Sequence, residues 1–472
     1  MTRGPGRPEA RLRFMAGAPL AWSETPPGLH PVDVPQFVAL TFDDNFVAEG
    51  MTWAVDFLRP LHNPAGTGYA GSFDGSPVRT TFFDNCVYLQ DESTRESWRT
   101  SVSDGHEIGN HTVSHAQGAA FTAEQWTNEI SACTSALASQ EGLGIPSSAV
   151  RGFRAPYLGY GPELFGVLSS QGLKYDSSVQ NCWGPAADGR RCSWPHTLEQ
   201  GSPDALAVSA RFATPAVPAT SDLWEVPVST LFVPPDELAA QYGFSPGLRQ
   251  RIPTDMAAPS YYDAASGRIA GLDVTLFVDA GLSAQEVLAT LKYTLDLRLQ
   301  GNRSPLVFVG HTHVYASNYD AAANAPSAAE RQGALESFVE YALAKPMVRL
   351  RPVGDIVTWM DTPEPLGGVI TMLPQGGAGG GGGTGGASAG EGGSAGAAGG
   401  AGGTAPAPQT GGASSAGATT AGSTQQPATA SPEAPSCACR VPAPESAAHG
   451  SDGVSALLLL ALCWAGRRAT RM

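Results

Sequence analysis

The chain has 472 residues, with 28 Lys and Arg against 43 Asp and Glu for a formal net charge of -15. That balance excludes a polyanion such as nucleic acid as the main partner, because phosphate binding draws on clustered Lys and Arg. Composition is uneven along the chain, so the part able to bury a core is shorter than the whole.

At the start, Arg3, Arg7, Arg11 and Arg13 precede an apolar run from Phe14 to Trp22. This is the order of an export signal, shortened and broken by Pro19, so residues 1–34 read as an N-terminal segment with a degenerate signal. From about Pro35 to Thr362, short β-rich apolar runs alternate with longer helical patterns, which predicts an α/β fold with parallel strands. Strands are expected at Phe37 to Thr41, Thr80 to Phe83, Glu107 to Gly109, Gly152 to Arg154, Trp224 to Val228 and Pro305 to Gly310. Helices are expected at Glu124 to Gln140, Pro162 to Gln171 and Ala284 to Gln300, where Val287, Leu291, Leu295 and Leu299 share one face. Residues 35–374 are read as the folded domain. Residues 375–435 are almost entirely Gly, Ala, Ser, Thr, Pro and Gln, with no aromatic residue to bury, and read as a disordered linker. Residues 436–472 join Cys437 and Cys439, a polar spacer, the apolar run Val454 to Ala465 and the basic Arg467, Arg468 and Arg471. That run is shorter than the ~20 residues of a typical span, but its order is that of a stop-transfer signal.

Seven cysteines are present, four of them in the folded part. Cys182 to Cys192 encloses Trp183, Gly184, Pro185 and Gly189, a loop that a local disulfide would close, which leaves Cys86 for Cys133. Both pairs presuppose an oxidising compartment.

The polar residues of interest follow the strands, and in a parallel α/β barrel that end is the catalytic face. Asp43 and Asp44 end the first strand. Successive strand side chains point to opposite faces, so a turn is needed there if both carboxylates are to serve one site. His111 and His115 stand four apart and meet one cation if the segment turns helically. With a carboxylate from another strand end they supply two imidazoles and an oxygen, leaving a position for water as a catalytic metal site does. Arg154, in Arg154-Ala-Pro-Tyr157, carries a permanent charge able to hold a catalytic Asp ionised. His311 and His313 both follow the last strand, and either has the right pKa range to protonate an amine. Trp183, Trp194, Tyr261 and Tyr262 are candidates either for a sugar-stacking groove or for packing.

Leu40-Thr-Phe-Asp43-Asp44, His111-Thr-Val-Ser-His115 and Arg154-Ala-Pro-Tyr157 together resemble the polysaccharide deacetylases of carbohydrate esterase family 4, the NodB-homology domain. Gly105-His-Glu-Ile, Tyr175-Asp-Ser-Ser178, Leu223-Trp-Glu225 and Asn302-Arg-Ser-Pro305 look like its chitin-deacetylase-like branch. The resemblance implies a distorted (β/α) barrel of about seven parallel strands. It implies Asp43 as general base, Asp44, His111 and His115 as metal ligands, Arg154 as partner of the base and the Tyr157 N–H as oxyanion donor. The catalytic His of that branch falls six residues after the Pro, which selects His311 as general acid. Asn45 stands where the family usually has Gly. The family's fourth motif, a tryptophan with an acidic partner for the acid, has only Asp176 and Trp224 as candidates.

The activity so implied is hydrolysis of N-acetyl groups from an N-acetylglucosamine-containing, chitin-like glycan, releasing acetate, with one divalent cation, zinc before cobalt or nickel. The alternatives are a surface glycan-binding protein on the same barrel and a deacetylase of peptidoglycan or another amide, with the 179–220 loop deciding the substrate. Residues 436–472 resemble the myxobacterial-type C-terminal sorting signal (MYXO-CTERM). That implies a secreted protein tethered at the cell surface or outer envelope through its tail, taken as a monomer.

Overall fold

The first strand, β1 (Gln36–Asp44), runs Gln-Phe-Val-Ala-Leu-Thr-Phe-Asp-Asp and is buried along all but its last residue. Apolar side chains on both faces are what a central strand of a parallel sheet requires, since both its surfaces are covered. The computed structural model describes residues 23–26, 29–184, 187–212, 214–254, 261–319 and 325–368. The apolar export run ending at Trp22, the 375–435 linker and the 436–472 sorting signal lie outside these residues.

The strands that follow are β2 (Thr81–Asp84), β3 (Glu107–Asn110), β4 (Gly152–Phe153), β5 (Tyr175–Asp176), β6 (His196–Thr197) and β7 (Trp224–Glu225). They are succeeded by β8 (Leu231–Phe232), β9 (Tyr262–Asp263), β10 (Arg268–Ile269), β11 (Leu306–His311) and β12 (Val348–Leu350). The main sheet has the order β11-β1-β2-β3-β4-β5-β7-β6, with β12 also on β1. Every pair in it is parallel except β6 with β7. The sheet curls into a half-barrel. Its curl brings the segment after β7 back to β11, where Ser229 N–H donates to the Val307 carbonyl at 3.0 Å. Leu272 likewise bridges to Val309 in parallel.

All six expected strands are present. The helices observed at Ala123–Ala138, Glu163–Ser170 and Ala284–Gln300 match those expected to within two residues at each end. Two of them start on capping boxes, Thr122 with Gln125 and Ser283 with Glu286, where side chain and backbone satisfy each other's free N–H groups. The sequence did not anticipate the small antiparallel sheet β8-β10-β9, whose two-residue strands are too short to show a period.

Two disulfides close the expected pairs, Cys86–Cys133 and Cys182–Cys192. The second loop is tied to the approach to β11, because Asn302 Nδ2 donates to the Cys192 carbonyl at 2.7 Å and Trp194 Nε1 to the Asn302 carbonyl at 3.0 Å. Among the described residues no helix is long and apolar enough to cross a membrane.

Candidate active site

Parallel register puts the last residues of β1, β2, β3 and β11 side by side: Asp43 beside His311, and Asp44 beside Asp84, which itself pairs with Asn110. At the end of β1 the backbone enters the left-handed region at Asp44 (φ 69°) and Asn45 (φ 53°). This is the turn that two adjacent carboxylates need to serve one site.

The His111-to-His115 segment is not helical, contrary to expectation. Thr112 (φ 65°) and His115 (φ 56°) are left-handed, and the turn they make brings the imidazole rings to 5.1 Å between centroids. Thr112 N–H donates to Asn110 Oδ1 at 2.9 Å and His115 N–H to Thr112 Oγ1 at 3.1 Å. Glu129, on the Ala123–Ala138 helix, accepts the Val113 and Ser114 N–H groups at 3.0 and 2.9 Å and the Ser114 hydroxyl at 2.7 Å. No motif pointed to Glu129; the helical pattern showed only that a helix was there.

Asp44 Oδ1 lies 2.9 Å from His115 Nε2 and 3.7 Å from His111 Nε2, and one ligand atom from each residue falls within 4.8 Å of the others. His111 Nδ1 is 2.8 Å from the Arg154 carbonyl, an acceptor that fixes the proton on Nδ1 and leaves the Nε2 lone pair facing a carboxylate. Two acceptors converging in a buried place suit a cation between them, so the donor set fits a divalent metal. Burial alone raises the Asp44 carboxyl, but the hydrogen bond from His115 and the charges of His111, His115 and His311 outweigh it and hold it well below the usual carboxylate range.

Arg154 is wholly buried and spends its donors on this face. Its Nη1 reaches Asp43 Oδ1 and Thr41 Oγ1, both at 2.7 Å, while Nε and Nη2 reach the Ser177 carbonyl and hydroxyl at 2.8 and 3.0 Å. The guanidinium also lies 4.3 Å above the Phe83 ring. An arginine so placed pairs with the buried carboxylate and fixes its orientation.

His311 has the carboxylate that sequence could not find, and it is Asp273. Asp273 Oδ1 is 2.7 Å from His311 Nδ1, and Oδ2 accepts the His311 backbone N–H at 2.7 Å. Burial opposes protonation of His311, but the Asp273 charge and hydrogen bond, followed by Asp44 and Asp43, push it up to about 9. Asp176 and Trp224 are elsewhere. Asp176 accepts from Ser178 N–H and Oγ at 2.9 and 2.7 Å, and Trp224 packs into the cluster of Phe37, Tyr175 and Trp194. Asp273 lies 38 residues before His311 in a plain Gly-Leu-Asp-Val context. The only signal for it was its place just after a short β-rich run.

The structure also separates the two histidines after β11. His313 stacks on Phe46 at 4.5 Å, lies against Tyr319 at 5.3 Å, and is pushed down to about 3 by burial and by His311. Trp183, Trp194 and Tyr262 are buried and are packing residues. Among the described residues the aromatic that faces solvent is Tyr157, 66% exposed, left-handed at φ 59°, its ring 4.7 Å from that of His115.

The polysaccharide deacetylase family profile matches residues 32–175, the span holding Asp43, Asp44, His111, His115, Arg154 and Tyr157. Chitin deacetylase 1 of Bombyx mori is 26% identical over 171 residues, 35% of this chain and 28% of the relative. Chitin deacetylase 8 of the same organism is 29% identical over 182 residues, 38% of this chain and 43% of the relative. The chain thus spans less than half the length of these curated relatives. A putative polysaccharide deacetylase from Mycobacterium smegmatis superposes with a TM-score of 0.41 at 16% identity, over 70% of this chain and 91% of that one. Over residues 32–175 the chain is thus similar to the polysaccharide deacetylase family, and over about a third of its length to chitin deacetylases.

Proposed function

We propose that this domain removes N-acetyl groups from an N-acetylglucosamine-containing, chitin-like polysaccharide, releasing acetate and leaving the amine on the sugar. The observation that carries the reading is the meeting of two close pairs, Asp43 with Arg154 and His311 with Asp273, around Asp44, His111 and His115. Those three residues would hold one divalent cation, zinc before cobalt or nickel on the donor set, and it would supply Lewis-acid polarisation of the acetamide carbonyl and a more acidic water.

Asp43, oriented by its pairing with Arg154, takes the proton of the attacking water as the water oxygen bonds to the carbonyl carbon. The Tyr157 backbone N–H, next to His115, donates to the developing oxyanion. His311 gives its proton to the amine nitrogen as the C–N bond breaks, and Asp273 keeps it oriented for the transfer. The exposed Tyr157 ring offers an apolar face for a pyranose.

A purely glycan-binding role was favoured only by the lack of a carboxylate for the acid, and the Asp273 contact removes that support. The two disulfides suit an oxidising compartment. With the tail signal of residues 436–472 and its apolar run, they support secretion and tethering at the cell surface or outer envelope, facing N-acetylated glycan. The test is acetate release by the zinc-loaded full chain from chitooligosaccharides, peptidoglycan fragments and other acetylated glycans. Release from chitooligosaccharides is the expected result; release from peptidoglycan alone would move the substrate, and bound metal without acetate from any of them would leave only the binding role.

A further inference from the structure

Two consecutive left-handed residues, Asp44 and Asn45, make a turn that side-chain-bearing residues adopt only where their surroundings over-determine it. Glycine adopts the same backbone freely, so an asparagine here has to be held. Asn45 is held at each of its polar groups but one. Its Nδ2 donates to Asp84 Oδ1 and to the Phe42 carbonyl, both at 2.9 Å, and its N–H donates to the Asp43 carbonyl at 2.8 Å. Its carbonyl accepts from Trp98 Nε1 at 2.8 Å. Asn45, Asp84 and Trp98 are all fully buried, and Asp84 and Trp98 lie far from the turn along the chain. The Asp84 main-chain carbonyl also accepts the His111 N–H at 3.2 Å, so one residue touches both arms of the ligand set.

We infer that Asp84 and Trp98 are positioning residues, which lock Asn45 and with it Asp44 in the left-handed turn that lets the Asp44 carboxylate meet His111 and His115. The inference goes beyond the proposed activity and rests on one part of it, the reading of Asp44, His111 and His115 as a cation site. Ordinary core hydrogen bonds would stabilise the fold whatever residue occupied position 45. A lock on the turn matters only while that residue needs one.

The discriminating experiment is a double-substitution cycle on the full chain, read as zinc affinity by competition with a chromogenic chelator. Asp84→Ala weakens zinc binding about 10- to 100-fold, the usual effect of losing a partner that orients a ligand. In an Asn45→Gly chain the same Asp84→Ala step costs less than about threefold, because glycine needs no lock. Trp98→Phe, which keeps a ring in the core, follows the same pattern and decides the matter if Asp84→Ala does not fold. Asp84→Asn keeps the acceptor oxygen and stays close to the parent. Equal losses in the two backgrounds, or undiminished affinity in both Asp84→Ala and Trp98→Phe, overturn the inference. A parent chain that takes up zinc but releases no acetate sinks the proposed activity and leaves this cycle intact. A parent that takes up no zinc sinks the cation site and the lock together.

Discussion

Replacing Asp273 by asparagine isolates the contribution of the carboxylate behind His311. The side chain keeps one oxygen for the His311 Nδ1–H while the negative charge, and the acceptor for the His311 backbone N–H, are lost. The rise of His311 from 6.5 to about 9 corresponds to roughly 3 kcal/mol of preference for the protonated ring, at about 1.36 kcal/mol per pKa unit. Burial works against that rise and Asp273 is the first of the groups producing it, ahead of Asp44 and Asp43. With a dication on Asp44 the share left to Asp273 grows. Asp273→Asn therefore lowers the His311 pKa, and the alkaline limb of kcat/KM moves toward neutrality by at least about one unit. At about pH 8 the protonated share of His311, and kcat/KM with it, falls about twofold for a one-unit shift and about 30-fold for a full return to 6.5. Stability carries the same sign. A histidine whose folded pKa is raised stabilises the fold fully below its unfolded value near 6.5 and progressively less as pH rises through about 9. The Tm gap between parent and variant is therefore wider at about pH 6 than at about pH 10. The pH profile of acetate release from chitooligosaccharides, with Tm by differential scanning fluorimetry, tests both points. An alkaline limb that stays in place refutes the assignment of Asp273 as the group that sets the acid.

Asp43→Asn abolishes turnover and leaves zinc bound, because Asp43 is paired with Arg154 rather than with the ligand imidazoles; retained activity in the acetate assay would dismiss it as the base. Glu129→Ala frees the turn between His111 and His115 and lowers zinc affinity about 10- to 100-fold, while Glu129→Gln retains an acceptor oxygen and loses less; equal zinc affinity in parent and Ala variant by chelator competition would show that the turn holds itself. Removing the Cys86–Cys133 bridge, which closes 47 residues, costs roughly 4 kcal/mol against roughly 3 kcal/mol for the 10-residue Cys182–Cys192 bridge in the chain-entropy picture. Paired Cys→Ala variants in urea melts measure that order.

Local chemistry was legible from the sequence alone. β1 could be read because a strand buried on both faces needs an unbroken apolar run, Phe37 to Leu40. Asp43, Asp44, His111, His115 and Arg154 could be read because each set lies within a few residues at the end of a strand, where a short motif carries its own geometry. The tertiary structure decided the rest, and in each case the partner is distant along the chain. Asp273 reaches His311 only because the curled sheet closes on itself and pairs Leu272 with Val309, and no periodicity in Gly271-Leu-Asp273 reports that closure. The histidine pair meets through left-handed backbone at Thr112 and His115, held by Glu129 from a helix, and not through the helical turn that a spacing of four suggests. Asn45 looked like a departure from glycine until its partners Asp84 and Trp98 came into view on other elements. Sequence specifies which candidate groups are present, since their identity is covalent; the fold specifies their surroundings and aim, since both are set by what is brought close.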